Sequence, residues 1–72
     1  MSDETVVNSL KVERALRDLT QEELARRAGI TRKSVNAIET GRMVPSVRLA
    51  LQIARVLDVP VDAIFRLAGE EG

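Results

Sequence analysis

The sequence predicts an all-α fold of five short helices, with the two chain ends placed to add a small antiparallel two-stranded sheet. Three observations carry this expectation. Apolar residues recur at helical spacing along successive segments. Helix-starting Asn, Ser and Thr residues precede those segments, and Gly29 and Gly41 follow two of them. A single aromatic residue, Phe65, leaves the core to aliphatic side chains.

The first helix is expected over residues 9–19, "SLKVERALRDL", after the N-cap candidates Asn8 and Ser9. Val12, Ala15, Leu16 and Leu19 fall at i, i+3, i+4 and i+7 and form its expected apolar face. The second, "TQEELARRAG" over 20–29, has Thr20 followed three residues later by Glu23, a capping box, and ends at Gly29, suited to a left-handed cap. The third, "TRKSVNAIETG" over 31–41, is capped by Thr31 and closed by Gly41. Only Ile30 separates Gly29 from Thr31, so these two helices meet at a tight turn. Ser46 caps the fourth, "VRLALQIARVLD" over 47–58, with Val47, Ala50, Leu51, Ala54 and Leu57 on one face and Ile53 beside it. "VPVDAIF" over 59–65 reads as a short fifth helix, because Pro60 suits a helix start and Asp62 its first turn. The β-branched ends supply two candidate strands, at about 4–8 and about 64–68, whose pairing would tie both termini to the body.

Seventy-two residues allow one domain, 1–72, with one small core. Without cysteine or histidine, disulfides and the usual zinc sites are excluded and no metal site is expected, so stability comes from aliphatic packing or from a partner subunit. No run approaches the length of a membrane span, and the start "MSDETVV" lacks a secretory pattern. A cytoplasmic protein with no membrane association is the expectation. An enzyme is disfavoured: there is no His, Cys or Tyr, no glycine-rich phosphate loop, no carboxylate pair forced into a pocket, and so no expected cofactor.

Net charge is zero, but its distribution is not uniform. Residues 11–55 hold ten Lys or Arg against five Asp or Glu, and the two ends hold one against six. An acidic periphery around a basic middle suits a polyanionic ligand, because the attracting field is local.

The third helix concentrates the chemistry. At 100° per residue, Val35, Ile38 and Glu39 share the face that holds this helix down, so a carboxylate lies on its apolar side and needs a partner from another helix. Arg32, Lys33 and Asn36 occupy the opposite side, near the helix start. Such side chains donate to base edges and phosphates, Arg being suited to guanine and Asn to adenine. Backbone N–H groups at Gln21 and around Arg32 add anion-binding capacity. The bland alternative for the three polar residues is a solvated face.

"TQEELARRAGITRKSVNAIETG" resembles the helix-turn-helix of the Cro/phage-repressor-like transcriptional regulators, the xenobiotic-response-element family with its lambda-repressor-like fold. The matches are Ala25 where the helices touch, Gly29 in the turn, and Val35 and Ile38 anchoring the second helix of the pair. "RMVPSVRLALQIARVLDVPVDAIF" extends the resemblance, which covers about residues 8–65, with the helix-turn-helix at 20–40.

The resemblance implies double-stranded DNA as partner, with Arg32, Lys33, Asn36 and Ala37 reading bases in the major groove. It assigns Thr20, Gln21, Thr31, Arg42, Met43 and Ser46 to the DNA backbone. It also supplies the mate for Glu39, since the family pairs an arginine of the first helix, here Arg14, with the glutamate closing the recognition helix. Two departures concern helix 1: Glu13 stands where an apolar residue is common, and Asp18 replaces the usual glycine before Leu19. The chain is similar to short stand-alone members without a ligand-sensing domain, in some of which terminal strands pair across a two-fold axis. A homodimer is therefore expected, with Val6, Val7, Ile64, Phe65 and Leu67 at its interface.

The expected function is a sequence-specific regulator, a repressor on a pseudo-palindromic operator. The alternative is an antitoxin or anti-repressor acting mainly through protein binding. A basic, donor-rich recognition helix argues for the first, and a small toxin-like reading frame beside the gene would argue for the second.

Overall fold

A computed structural model describes residues 5–69, and these form four α-helices and one two-stranded antiparallel sheet. The order is β1 (Val6–Asn8), α1 (Leu10–Leu16), α2 (Gln21–Ala28), α3 (Arg32–Glu39), α4 (Val47–Leu57), a 3-10 turn at Val61–Ala63, and β2 (Phe65–Leu67). The expected fifth helix over 59–65 is thus replaced by a single 3-10 turn. Pro60 enters extended, and Phe65 is already spent on strand pairing. Four residues remain between them, of which Val61–Ala63 form the turn, a length suited to 3-10 geometry and too short for an α-helix.

The sheet joins the two ends of the chain in the register Val6↔Leu67, Val7↔Arg66 and Asn8↔Phe65. Both strands are shorter than their expected spans of 4–8 and 64–68, and residue 4 lies outside the described residues. A Thr5 carbonyl accepts from the Ala68 N–H at 2.8 Å, and Ser9 N–H donates to Ile64 O at 2.9 Å, so the pairing is continued on both sides.

Capping follows the sequence closely for three helices. Thr20, Thr31 and Ser46 each accept a backbone N–H three residues on, from Glu23, Ser34 and Leu49. Gly29 (φ 75°) and Gly41 (φ 81°) take the left-handed conformation that ends α2 and the turn after α3. Asp18 (φ 54°) occupies the same region where a glycine was expected by resemblance, and Asp58 (φ 59°) caps α4. Aspartate tolerates this region better than most residues because its short side chain bonds locally.

Helix α1 differs from expectation. It begins at Leu10, where the Asn8 side chain accepts the backbone N–H, while Ser9 donates its hydroxyl to Ala63 O. Val12 and Leu16 are 58% and 71% exposed and Ala15 is exposed, so the expected apolar face lies in solvent. The inward face is instead Leu10 and Arg14, at i and i+4, while Arg17, exposed and just past the helix end, reaches Leu57 O with its guanidinium. Leu10 is fully buried, and the two arginines bond to carbonyls and carboxylates of other segments. Leu19 is buried, but beyond the helix end.

Helix α4 departs from its expected face by less. Its buried residues are Ala50, Ile53, Ala54 and Leu57, while Val47 and Leu51, expected in the core, are 77% and 52% exposed. The burial stripe is centred on Ile53. Helices α2 and α3 pack extensively on each other and α2 on α4, around a cluster that includes Leu10, Leu24, Val35, Ile38, Ile53, Leu57 and Ile64.

Candidate nucleic-acid interface

The pair α2–turn–α3 is built locally. Ile30 N–H donates to Ala25 O at 2.9 Å across Gly29 and closes α2, and Thr31 opens α3 two residues after Gly29. Ala25 and Ala28, both buried, let the two helices approach, and Val35 and Ile38 fill the space between α3 and the body.

Glu39 occupies the end of the inward face of α3, with its side chain 3% exposed. Arg14 meets it with two bonds, Nε to Oε2 at 2.7 Å and a second guanidinium nitrogen to Oε1 at 3.3 Å. A third guanidinium bond runs to Leu19 O at 2.7 Å. The expected mate of Glu39 is therefore in place, and the same arginine ties together α1, the segment before α2, and the end of α3. The planar guanidinium suits this task because its donors match a carboxylate bidentately.

Beside Glu39 rather than opposite it, and turned outward, Arg32 and Lys33 are exposed in the first turn of α3, and with the half-buried Asn36 they line one open depression of about 390 Å³. Ala37 is half-buried beside them. Thr20, Thr31 and Ser46 lie at helix starts, each exposed and each engaged in capping. Arg42 is exposed, with its Nε donating to Thr40 Oγ1 at 3.3 Å, whereas Met43 packs partly on the core. Gln21 opens α2, but its side chain turns inward: Nε2 donates to Glu39 Oε1 at 2.9 Å and to Asn36 Oδ1 at 3.2 Å.

The terminal sheet carries a second surface. Val6, Phe65, Arg66 and Leu67 line a depression of about 320 Å³. Val6 and Leu67 are paired and half-buried. Val7 lies on the other face of the pleat, opposite Arg66. Ile64 is fully buried in the chain's own core, so it supports the sheet from beneath and has no surface to offer a second chain.

Two supporting residues escaped the sequence reading. Asn8 donates from Nδ2 to Ile38 O at 3.0 Å, joining β1 to the last turn of α3. Arg17 donates from Nε to Leu57 O at 2.9 Å, closing the end of α4, and from Nη1 to the Glu13 carbonyl and carboxylate. The one available signal was position: an arginine near a helix end is placed to meet orphan carbonyls.

Two short helices at a tight turn, the second pinned by one side and presenting donors on the other, define a helix-turn-helix protein. Residues 10–64 match the family model described as "Helix-turn-helix", and the chain belongs to that family, in its xenobiotic-response-element branch of transcriptional regulators. It is 44% identical over 64 residues to an HTH-type transcriptional regulator of Methanocaldococcus jannaschii, covering 89% of this chain and 97% of the relative. It is 40% identical over 63 residues to the HTH-type regulator YgzD of Bacillus subtilis, covering 88% and 96%. Among solved structures, the restriction-modification controller protein C.AhdI of Aeromonas hydrophila superposes with a TM-score of 0.73 at 31% identity, over 75% of this chain and 82% of that one. These relatives are regulators, which are not enzymes. Among the described residues, no helix is long and apolar enough to cross a membrane.

Proposed function

We propose that the chain is a sequence-specific DNA-binding regulator that places α3 in the major groove and represses by occupying promoter DNA. The observation that carries this reading is the two-sidedness of α3. Val35, Ile38 and Glu39 hold it to the body, so Arg32, Lys33 and Asn36 are presented together on a rigid element. A helix fixed on one side fits the docking geometry of the fold, in which the N-terminal part of the second helix meets base edges. Relatives named as transcriptional regulators and a controller protein as structural neighbour support it.

In this reading Arg32, Lys33, Asn36 and Ala37 face bases, and Thr20, Thr31, Arg42, Met43 and Ser46 approach the sugar-phosphate backbone. Gln21 contributes there through its main-chain N–H, which opens α2. Selecting bound sequences from a random DNA pool, with salt varied, tests the proposal. Arg32→Ala is expected to cost about 1–3 kcal/mol and relax preference at one base pair, while Arg42→Ala weakens all sequences alike and lowers the salt slope by about 1. Equal losses on selected and random DNA for Arg32→Ala would contradict base reading.

The same proposal includes a homodimer formed through the terminal sheet. Among the described residues the sheet has two strands only, and the depression that Val6, Phe65 and Leu67 line together with Arg66 is largely apolar, a combination that favours a second copy. Two copies of α3 about one helical turn apart, roughly 34 Å, would read a pseudo-palindromic operator. Sedimentation at micromolar concentration should show a dimer, and Leu67→Glu should shift it towards monomer. A wild-type monomer under those conditions excludes this part of the proposal.

A further inference from the structure

We infer that Gln21 is a positioning residue that sets Asn36 to enter the DNA groove as a hydrogen-bond donor. The inference rests on the reading of α3 as the DNA-reading helix and goes further, to the polarity of one of its contacts. It follows from a chain of three side chains whose donor and acceptor roles are forced in sequence.

The chain starts at Glu39. Held bidentately by Arg14, its carboxylate accepts hydrogen bonds and donates none. The Gln21 amide atom that faces it at 2.9 Å must therefore be the NH2 group. The same nitrogen lies 3.2 Å from the Asn36 side chain, and two NH2 groups would repel there, so the Asn36 atom facing Gln21 is its oxygen. The orientation of an asparagine at a surface is ordinarily free to flip. Here it is set from the buried end of the network.

Two consequences follow. Both hydrogens of Gln21 Nε2 are spent, and only its acceptor oxygen remains, which a phosphate oxygen would repel. The side chain of Gln21 thus serves α3 rather than the DNA backbone. Meanwhile Asn36 keeps Nδ2 and its two hydrogens for the depression it shares with Arg32 and Lys33. Those neighbours have only donors to offer, so the polar part of the reading face is a donor surface. Its complements in the major groove are the acceptors N7 and O6 of guanine, O4 of thymine and, beside the N6 donor, N7 of adenine, and cytosine, which presents only the N4 donor, is the mismatch.

The test is a comparison of selected binding sites across variants, with thermal melting followed in parallel. In wild-type protein Asn36→Ala identifies the base pair that Asn36 contacts, and the contacted base there should be guanine, thymine or adenine in preference to cytosine. Gln21→Met keeps the size of the side chain and loses its hydrogen bonds. It should reduce the preference at that one pair on the order of tenfold, within the range of a base-edge contact, with the other positions unchanged. Gln21→Glu presents a carboxylate that takes an Asn36 N–H, turns Oδ1 outward, and should move the preference to the donor of cytosine. If Gln21→Glu does not fold beside Glu39, Gln21→Met decides alone. Unchanged preference in Gln21→Met overturns the inference, and so does an equal loss at every position, the behaviour of a residue that serves stability only. A wild-type protein that selects no sequence, or an Asn36→Ala variant that alters no position, overturns the reading of α3 and this inference with it.

Discussion

Arg14→Ala should lower the unfolding free energy by about 3–5 kcal/mol, the range for removing one member of a buried ion pair. The physical cause is the carboxylate left behind. Glu39, with 3% of its side chain exposed, would keep only the Gln21 amide as partner, and Leu19 O would lose its guanidinium donor. A small domain holds roughly 0.05–0.15 kcal/mol per residue, so the variant would forfeit a large share of its total stability. At ~4–8 °C per kcal/mol for a domain of this size, the melting temperature should fall far enough to be measured without ambiguity by calorimetry. Arg14→Met combined with Glu39→Leu removes both charges together and should recover most of the loss, because no unpaired charge remains. Equal instability of the single and double variants would mean that packing around the pair, rather than the charge, is what Arg14 supplies.

Ile53→Ala should cost about 2–5 kcal/mol, the transfer term plus the cavity left in a close-packed interior. Ile53 is fully buried at the centre of the α4 stripe, in a core with no buried aromatic side chain to close over a void. Leu51→Ala, two residues earlier on the same helix, should change stability by no more than about 0.5 kcal/mol, because that side chain is half in solvent. Urea unfolding of the two variants checks the contrast: the midpoint falls for Ile53→Ala with little change in slope. Similar costs for both would mean that α4 is rolled towards Leu51, as its sequence pattern alone suggests.

Those two positions also mark where the sequence was sufficient and where it was not. The helix starts at Thr20, Thr31 and Ser46 and the left-handed stops at Gly29 and Gly41 were legible because a cap is a contract between neighbours three or four residues apart. The sidedness of α3 was legible for the same reason, since Val35, Ile38 and Glu39 against Arg32, Lys33 and Asn36 leave one way to lay the helix down. The partner of Glu39 came from resemblance to a family, not from spacing. In α1 the pattern misled: Val12, Ala15 and Leu16 form a plausible stripe, yet Leu10 and Arg14 face the body, and periodicity does not anticipate an arginine turned inward. The fifth helix failed because residues 64 and 65 were open to two uses, and strand pairing with β1 took them.

By itself, then, the sequence determined the local frame: three capped helices, a tight turn between two of them, and a donor-rich face on the second. Tertiary structure alone decided how α1 and α4 are rolled, that Asn8 and Arg17 close distant helix ends, and that Gln21 hands the polarity of Glu39 on to Asn36. Each of these depends on groups 15 to 40 residues apart in the chain, as in the Gln21–Asn36 and Arg17–Leu57 bonds. Burial and hydrogen-bond polarity at such separations are properties of the assembled neighbours, and no residue carries them until the chain has brought those neighbours together.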